Sequence, residues 1–300
     1  MAVNRSSVAL AKRLLGNEHA VLLAQNAQKV DSLEEKYEKM LKSCLDSISA
    51  WVAEYALVIG EIPKKLPETK IDSILMEMYL QTSQKALEDA GGELGQVTVA
   101  KKMAKPKAPA SLKEVMAIYD KWRKQGQLPA RQKQIRDSII KQYLKKVRDV
   151  WRNHSEDFRS GEIANQQDAV KVFKKAAEGA YGRAKMIVET ETTTYYNRTK
   201  KDFYDNADAV THYLFLAIRD QRTSKWCSDK TINGLRGRHG LVYKKGDPLT
   251  SKETPAIHWN CRSEMVPLVQ SNPRHKQLIE DSAIARRSHR CYPLPKEWNK

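Results

Sequence analysis

The chain has 300 residues, 41% of them hydrophobic, and a formal net charge of +17. Length and apolar fraction suffice for one large core or two smaller ones, which excludes a wholly disordered chain. No run of eighteen apolar residues is present to span a bilayer, and the N-terminus carries no basic-then-apolar leader with a small-residue cleavage site, so the expectation is a protein made in the cytosol with no membrane partner.

Residues 1–99 hold 11 Lys and Arg against 14 Asp and Glu and read as helices. Over 1–30, Val8, Leu10, Leu14, Leu15, Val21, Leu22 and Leu23 keep a loose helical rhythm. From Asp31, which can cap with Glu34 three places on, the spacing tightens through Leu33, Tyr37, Met40, Leu41, Cys44, Leu45, Ile48, Trp51, Val52, Tyr55 and Ile59. This predicts a long amphipathic helix with Cys44 and Trp51 on its core face, stopped by Gly60 and Pro63. A second helix over 70–90, carrying Ile71, Ile74, Leu75, Met78 and Leu87, makes 1–90 an antiparallel helical unit suited to docking on a protein partner. Residues 91–110 contain three glycines, two prolines and four lysines and read as a basic flexible linker, in which Lys101, Lys102, Lys105 and Lys107 are the expected nonspecific phosphate contacts.

Positive charge accumulates from there: residues 100–211 carry 25 Lys and Arg against 14 Asp and Glu, and residues 212–300 carry 17 against 8. Such an excess implies a polyanionic neighbour, nucleic acid being the commonest, unless these are ordinary solvated faces of basic helices. The region 111–209 reads as a basic helical stretch: a helix after Ser111, a longer one past Pro129 with Ile135, Ile139, Tyr143, Val147 and Val150, and a third over about 166–200 lined by Val170, Phe173, Ala177, Tyr181, Ala184 and Val188. On the middle helix Arg136, Lys141, Lys145, Lys146 and Arg148 crowd the polar side and are the expected contacts to double-stranded DNA. Glu189 and Glu191, two apart on the third helix, point to different sides and make a poor acid–base pair.

The period then changes. Val210–Arg219 reads as a buried strand with Leu241-Val242-Tyr243 as a short partner, giving a mainly α protein with a small α+β domain over 210–270 and an irregular basic tail over 271–300. Four cysteines are too few and too dispersed for a secreted disulfide scaffold. Three of the candidate metal ligands, Cys227, His258 and Cys261, stand at the two ends of the compact domain; a fourth ligand would come from outside that set, His239 or Asp229. The spacing leaves three readings of the thiols open: a packed pair, a metal site, zinc if any, or a disulfide formed after release into oxidising conditions. P-loop and dinucleotide-type phosphate cradles are absent, since Gly234, Gly237 and Gly240 are followed by no helix.

The ordered series Asp220, Arg222, Thr223, Cys227, Gly234, Pro255, His258, Asn260, Cys261, Arg262 and Pro267 resembles the Mu F-like phage head morphogenesis proteins, over about the last third of the chain. The chain departs from the fuller pattern, having Ser224 and Ser263 where further cysteines would stand, so an all-thiolate zinc site is ruled out. The resemblance implies a minor capsid protein that acts with the portal and with scaffold or major capsid protein in head assembly, assembled in the host cytoplasm, resident in the virion, and associated with DNA up to ejection. In this reading the protein is not an enzyme, and Arg222 and Arg262 clamp the small domain by donating to backbone carbonyls or to Asp220. The enzymatic alternative, a metal-dependent DNA nuclease using His258, lacks an adjacent His-His or Asp-His pair after a strand. A DNA-binding protein outside any virion is the other alternative.

Overall fold

The computed structural model describes residues 11–12, 14–67, 69–98, 130–217, 227, 242–248, 250, 254–258 and 261–287. Five helices, α1 (Asn17–Ile59), α2 (Thr69–Thr98), α3 (Ala130–Ser160), α4 (Gln166–Asp205) and α5 (Pro273–Arg287), accompany three strands, β1 (Val210–Leu216), β2 (Val242–Lys244) and β3 (Glu264–Val269). The mainly helical class with a small C-terminal antiparallel sheet is therefore as the sequence predicts. Among the described residues no helix is long and apolar enough to cross a membrane.

The chain divides into two compact units, neither continuous in sequence. One gathers the described residues of Met1–Leu33, Leu80–Ala117 and Glu189–Lys300, the other those of Glu34–Tyr79 and Ile118–Val188. This division differs from the sequential one at 90, 110, 209 and 270, since α1, α2 and α4 each contribute one end to either unit.

The second unit is all helical. Tyr37, Leu41, Leu45, Ile48 and Val52 of α1, Ile71, Leu75 and Met78 of α2, Ile135, Ile139, Tyr143 and Val147 of α3, and Phe173, Ala177 and Ala184 of α4 are buried at three- and four-residue steps, the pattern that apolar burial imposes on packed helices. Gly60, at φ +74°, ends α1 in a conformation other residues avoid. Trp51 is exposed at 38%, against expectation. The buried face runs through Ile48, Val52, Ala53 and Ala56, which leaves Trp51 and Tyr55 at its edge, where their rings meet at 5.7 Å.

In the first unit the sheet has the order β2-β1-β3, all antiparallel, with Tyr213 opposite Tyr243 on one side and Pro267 on the other. A proline is tolerated there because β3 is an edge strand. Alternation along β1 feeds two cores. Tyr213 and Phe215 join Tyr243, Met265, Val269, Phe203 and Tyr204 with Leu94, while Leu214 and Leu216 join Val242, Val266 and Leu268 with Leu14, Leu15 and Leu23 near the N-terminus and Leu278 of α5. The sheet is thus covered on both faces, by α2 and α4 on one and by N-terminal residues with α5 on the other.

Three local expectations change. Asp31 does not cap a helix, since α1 starts at Asn17. Residues 91–98 are not linker but the last turns of α2: Glu93 and Leu94 are buried, and those contacts outweigh the roughly 1 kcal/mol each that Gly91, Gly92 and Gly95 cost a helix. The tail opens with α5, not with irregular chain. The Asn272 side chain accepts from the Arg274 and His275 amides at 3.0 and 3.4 Å, and Pro273 stands at the first helical position, where its missing N–H costs nothing.

Candidate metal centre

His258 and Cys261 meet because the chain turns between them, the Cys261 amide donating to the His258 carbonyl at 3.2 Å. Cys227 reaches them from the other end of the segment that separates β1 from β3. It is 1% exposed, as is Cys261, and both thiols belong to the core that holds Tyr213, Phe215 and Met265. Cys227 Sγ lies 2.9 Å from His258 Nε2 and 3.9 Å from Cys261 Sγ. All three ligand atoms fall within 4.8 Å of one another, so the group can hold a metal ion.

Tetrahedral zinc with sulfur ligands at about 2.3 Å sets two sulfurs about 3.8 Å apart, which the thiol pair already matches. A shared ion would set the imidazole nitrogen about 3.6 Å from sulfur, so the Cys227–His258 hydrogen bond must open by about 0.7 Å. Burial by itself would push the Cys261 thiol up. The hydrogen bonds of Cys227 and His258, then the charge of His258 and the Ile257 backbone, outweigh it and hold the thiol well below its ordinary range, toward the thiolate that a metal requires. Cys44, by contrast, sits in the helical core with its thiol pushed up by burial against a smaller opposing effect of Lys70.

Arg262 donates to Asp31 of α1, with both side chains about nine-tenths buried, a partner that the sequence reading did not name. No local spacing encodes a partner 231 residues away.

Next to this clasp lies an ionic cluster that sequence reasoning missed. Lys200 of α4, fully buried, donates to Glu93 of α2 and to Glu264 at the start of β3. Glu93 also accepts from Tyr204 Oη at 2.6 Å and Asn26 Nδ2 at 2.7 Å. Tyr196 donates to Asp89 at 2.9 Å, and Lys29 and Lys85 pair with the same carboxylate at 2.8 and 3.4 Å. Asn197 ties the strand in, donating to the Ser263 carbonyl at 3.1 Å and accepting from the Met265 amide at 3.0 Å. Burial would lower the Lys200 ammonium, but Glu264 and Glu93 outweigh it and raise it. Glu264 is raised to about 7, first by burial and then, against the pull of Lys200, by Glu93. The available signal was Tyr196, Lys200 and Tyr204 at four-residue steps, a lysine between two tyrosines on one helix face. Glu189 and Glu191 are both buried, within a stretch of α4 buried on every side from Ile187 to Asn197.

The cationic candidates on α3 separate. Arg136 is turned inward, its side chain 13% exposed and paired with Asp72 at 3.3 Å and Asp137 at 3.0 Å, so it does not face a polyanion. Lys146 lays its stem across Gly179, where an added Cβ would meet its Cδ at 3.2 Å. Lys141, Lys145 and Arg148 are exposed and form no ion pair among the described residues. Asp220, Arg222, Thr223, Asp229, His239, Asn260, Lys101, Lys102, Lys105 and Lys107 lie outside the described residues. The chain matches no family model, no curated protein and no solved structure.

Proposed function

We propose that this chain is a minor capsid protein of a phage head, acting structurally in head morphogenesis beside the portal and in contact with packaged DNA. The observation that carries the reading is the convergence of Cys227, His258 and Cys261, the residues through which the chain resembles Mu F-like head proteins, into one clasp. Thiols 1% exposed inside an apolar core suit a structural role, whereas a nucleophile acting on a polymer must meet that polymer at the surface. Arg262 extends the clasp to α1 through Asp31, so the motif secures the sheet to the N-terminal part of the chain.

Zinc is the ion assigned to the clasp, on the sulfur spacing and the donor set, with His239 or Asp229 as the fourth ligand. Lys141, Lys145 and Arg148 supply contacts to the phosphate backbone without base readout. The exposed apolar end of α1, with Trp51, Val58 at 75% and Ile59 at 55%, offers a surface to the portal or scaffold protein. Co-expression of the full chain with the portal protein and the major capsid protein of the same phage tests the reading. Stable co-purification with the portal is expected, and failure to associate with either protein would overturn it.

A further inference from the structure

We propose that Cys227 and Cys261 form a redox switch, holding a zinc-like cation with His258 when reduced and closing to a disulfide that expels the ion when oxidised. The proposal rests on the metal-clasp reading above and gives that site a second state. Its geometric basis is the thiol pair itself: Sγ–Sγ is 3.9 Å, and both residues are buried in the same core. A disulfide needs the sulfurs at about 2.05 Å, so one approach of less than 2 Å separates the two states. The ion and the disulfide cannot coexist, because the disulfide uses the electron pairs that would bind the metal and leaves His258 as the one remaining ligand of the three.

The reaction needs a two-electron oxidant, for which a peroxide suffices. One thiolate displaces hydroxide from hydrogen peroxide and becomes a sulfenic acid. The second thiolate attacks that sulfur, the S–O bond breaks, a second hydroxide leaves and the Sγ–Sγ bond forms. Two electrons pass from the sulfur pair to peroxide, two solvent protons turn the hydroxides into water, and the cation dissociates.

Both states join Cys227 to the residues just before β3 across a 34-residue separation, so the cross-link survives while its chemistry changes. Such an exchange suits a chain that assembles in a reducing cytosol and persists in a particle exposed to oxidising surroundings, where a bound metal can be chelated and a disulfide cannot. His258, with Nε2 2.9 Å from Cys227 Sγ, belongs to the metal state alone.

The test uses the full-length chain purified under reducing conditions. Metal content is measured by atomic emission, and hydrogen peroxide is then titrated in with a chromophoric zinc chelator present and peptides mapped by mass spectrometry. One zinc per chain is expected, released in step with a Cys227–Cys261 peptide that has lost two hydrogens, and dithiothreitol with added zinc restores the starting state. His258→Ala should bind zinc at least tenfold more weakly yet still form the disulfide. Zinc present but oxidation leading to sulfinic acid, or to pairing with Cys44 or Cys291, overturns the switch and leaves the metal clasp standing. A reduced protein without zinc overturns the metal reading and the switch with it, whether or not the disulfide forms.

Discussion

Replacing Lys200 by methionine removes the cation from a site that water does not reach, at nearly constant side-chain volume. Lys200 is fully buried between Glu93, equally buried, and Glu264, whose side chain is 6% exposed. Glu93 keeps Asn26 and Tyr204 as donors, so Glu264 is the carboxyl left to take up a proton. Removing one partner of a buried ion pair costs about 3–5 kcal/mol. The loss should be full at pH 8, where the carboxyl must be held protonated against solution, and smaller by about 1 kcal/mol at pH 5.5, where Glu264, raised to about 7, already carries its proton in the wild type. Because the cluster ties α2 and α4 to β3, the readout is local: hydrogen–deuterium exchange of the β1 and β3 peptides should speed up by a hundredfold or more at pH 8. The double variant Lys200→Met with Glu264→Gln should recover most of the protection. A loss below about 1 kcal/mol at pH 8, or one that does not change with pH, would refute the reasoning.

Glu264 also makes wild-type stability pH-dependent. Its value in the folded protein, about 7, lies above its unfolded value, so the fold binds the proton more tightly; stability is fully present below about pH 4.5 and falls as pH rises through 7, by roughly 3 kcal/mol in all. Glu264→Gln should flatten that slope in urea melts at a series of pH values, and an unchanged slope would assign it to another group. Gly91→Ala and Gly92→Ala should each stabilise by about 0.5–1 kcal/mol, because both are helical and an added Cβ meets nothing within 4 Å; a lowered melting temperature would contradict the helical assignment. Changing Lys141, Lys145 and Arg148 together to glutamine should weaken duplex DNA binding about equally for all sequences and reduce the salt slope of log K by about 2–3. The same triple change with an unaltered slope would place the DNA contact elsewhere.

How far the sequence carried depends on the range of the interaction. The buried line of α1 and the strand at Tyr213–Leu216 were legible because burial writes a period into consecutive residues. The meeting of Cys227 with His258 and Cys261 was legible because the order of a motif carried it. Asp31–Arg262 and Glu93–Lys200–Glu264 were not, since each joins residues 64 to 231 apart and nothing near any of them marks the partner. Gly91 and Gly92 misled because propensity is a weak local term that the buried Glu93 and Leu94 override. Pro273 misled in the other direction. Prolines in the tail read as breakers, although Asn-Pro is also a helix start when the asparagine caps. Trp51 shows the limit of periodicity itself, which fixes a helix's apolar stripe but not where the neighbouring helices stop covering it.

The proposed role makes the chain a component of a phage head. Quantitative mass spectrometry of purified particles, DNA-filled and emptied, measures that directly. The chain is predicted in filled heads at a fixed ratio to the portal protein and reduced in emptied ones. Its absence from particles at every stage of assembly would contradict the account.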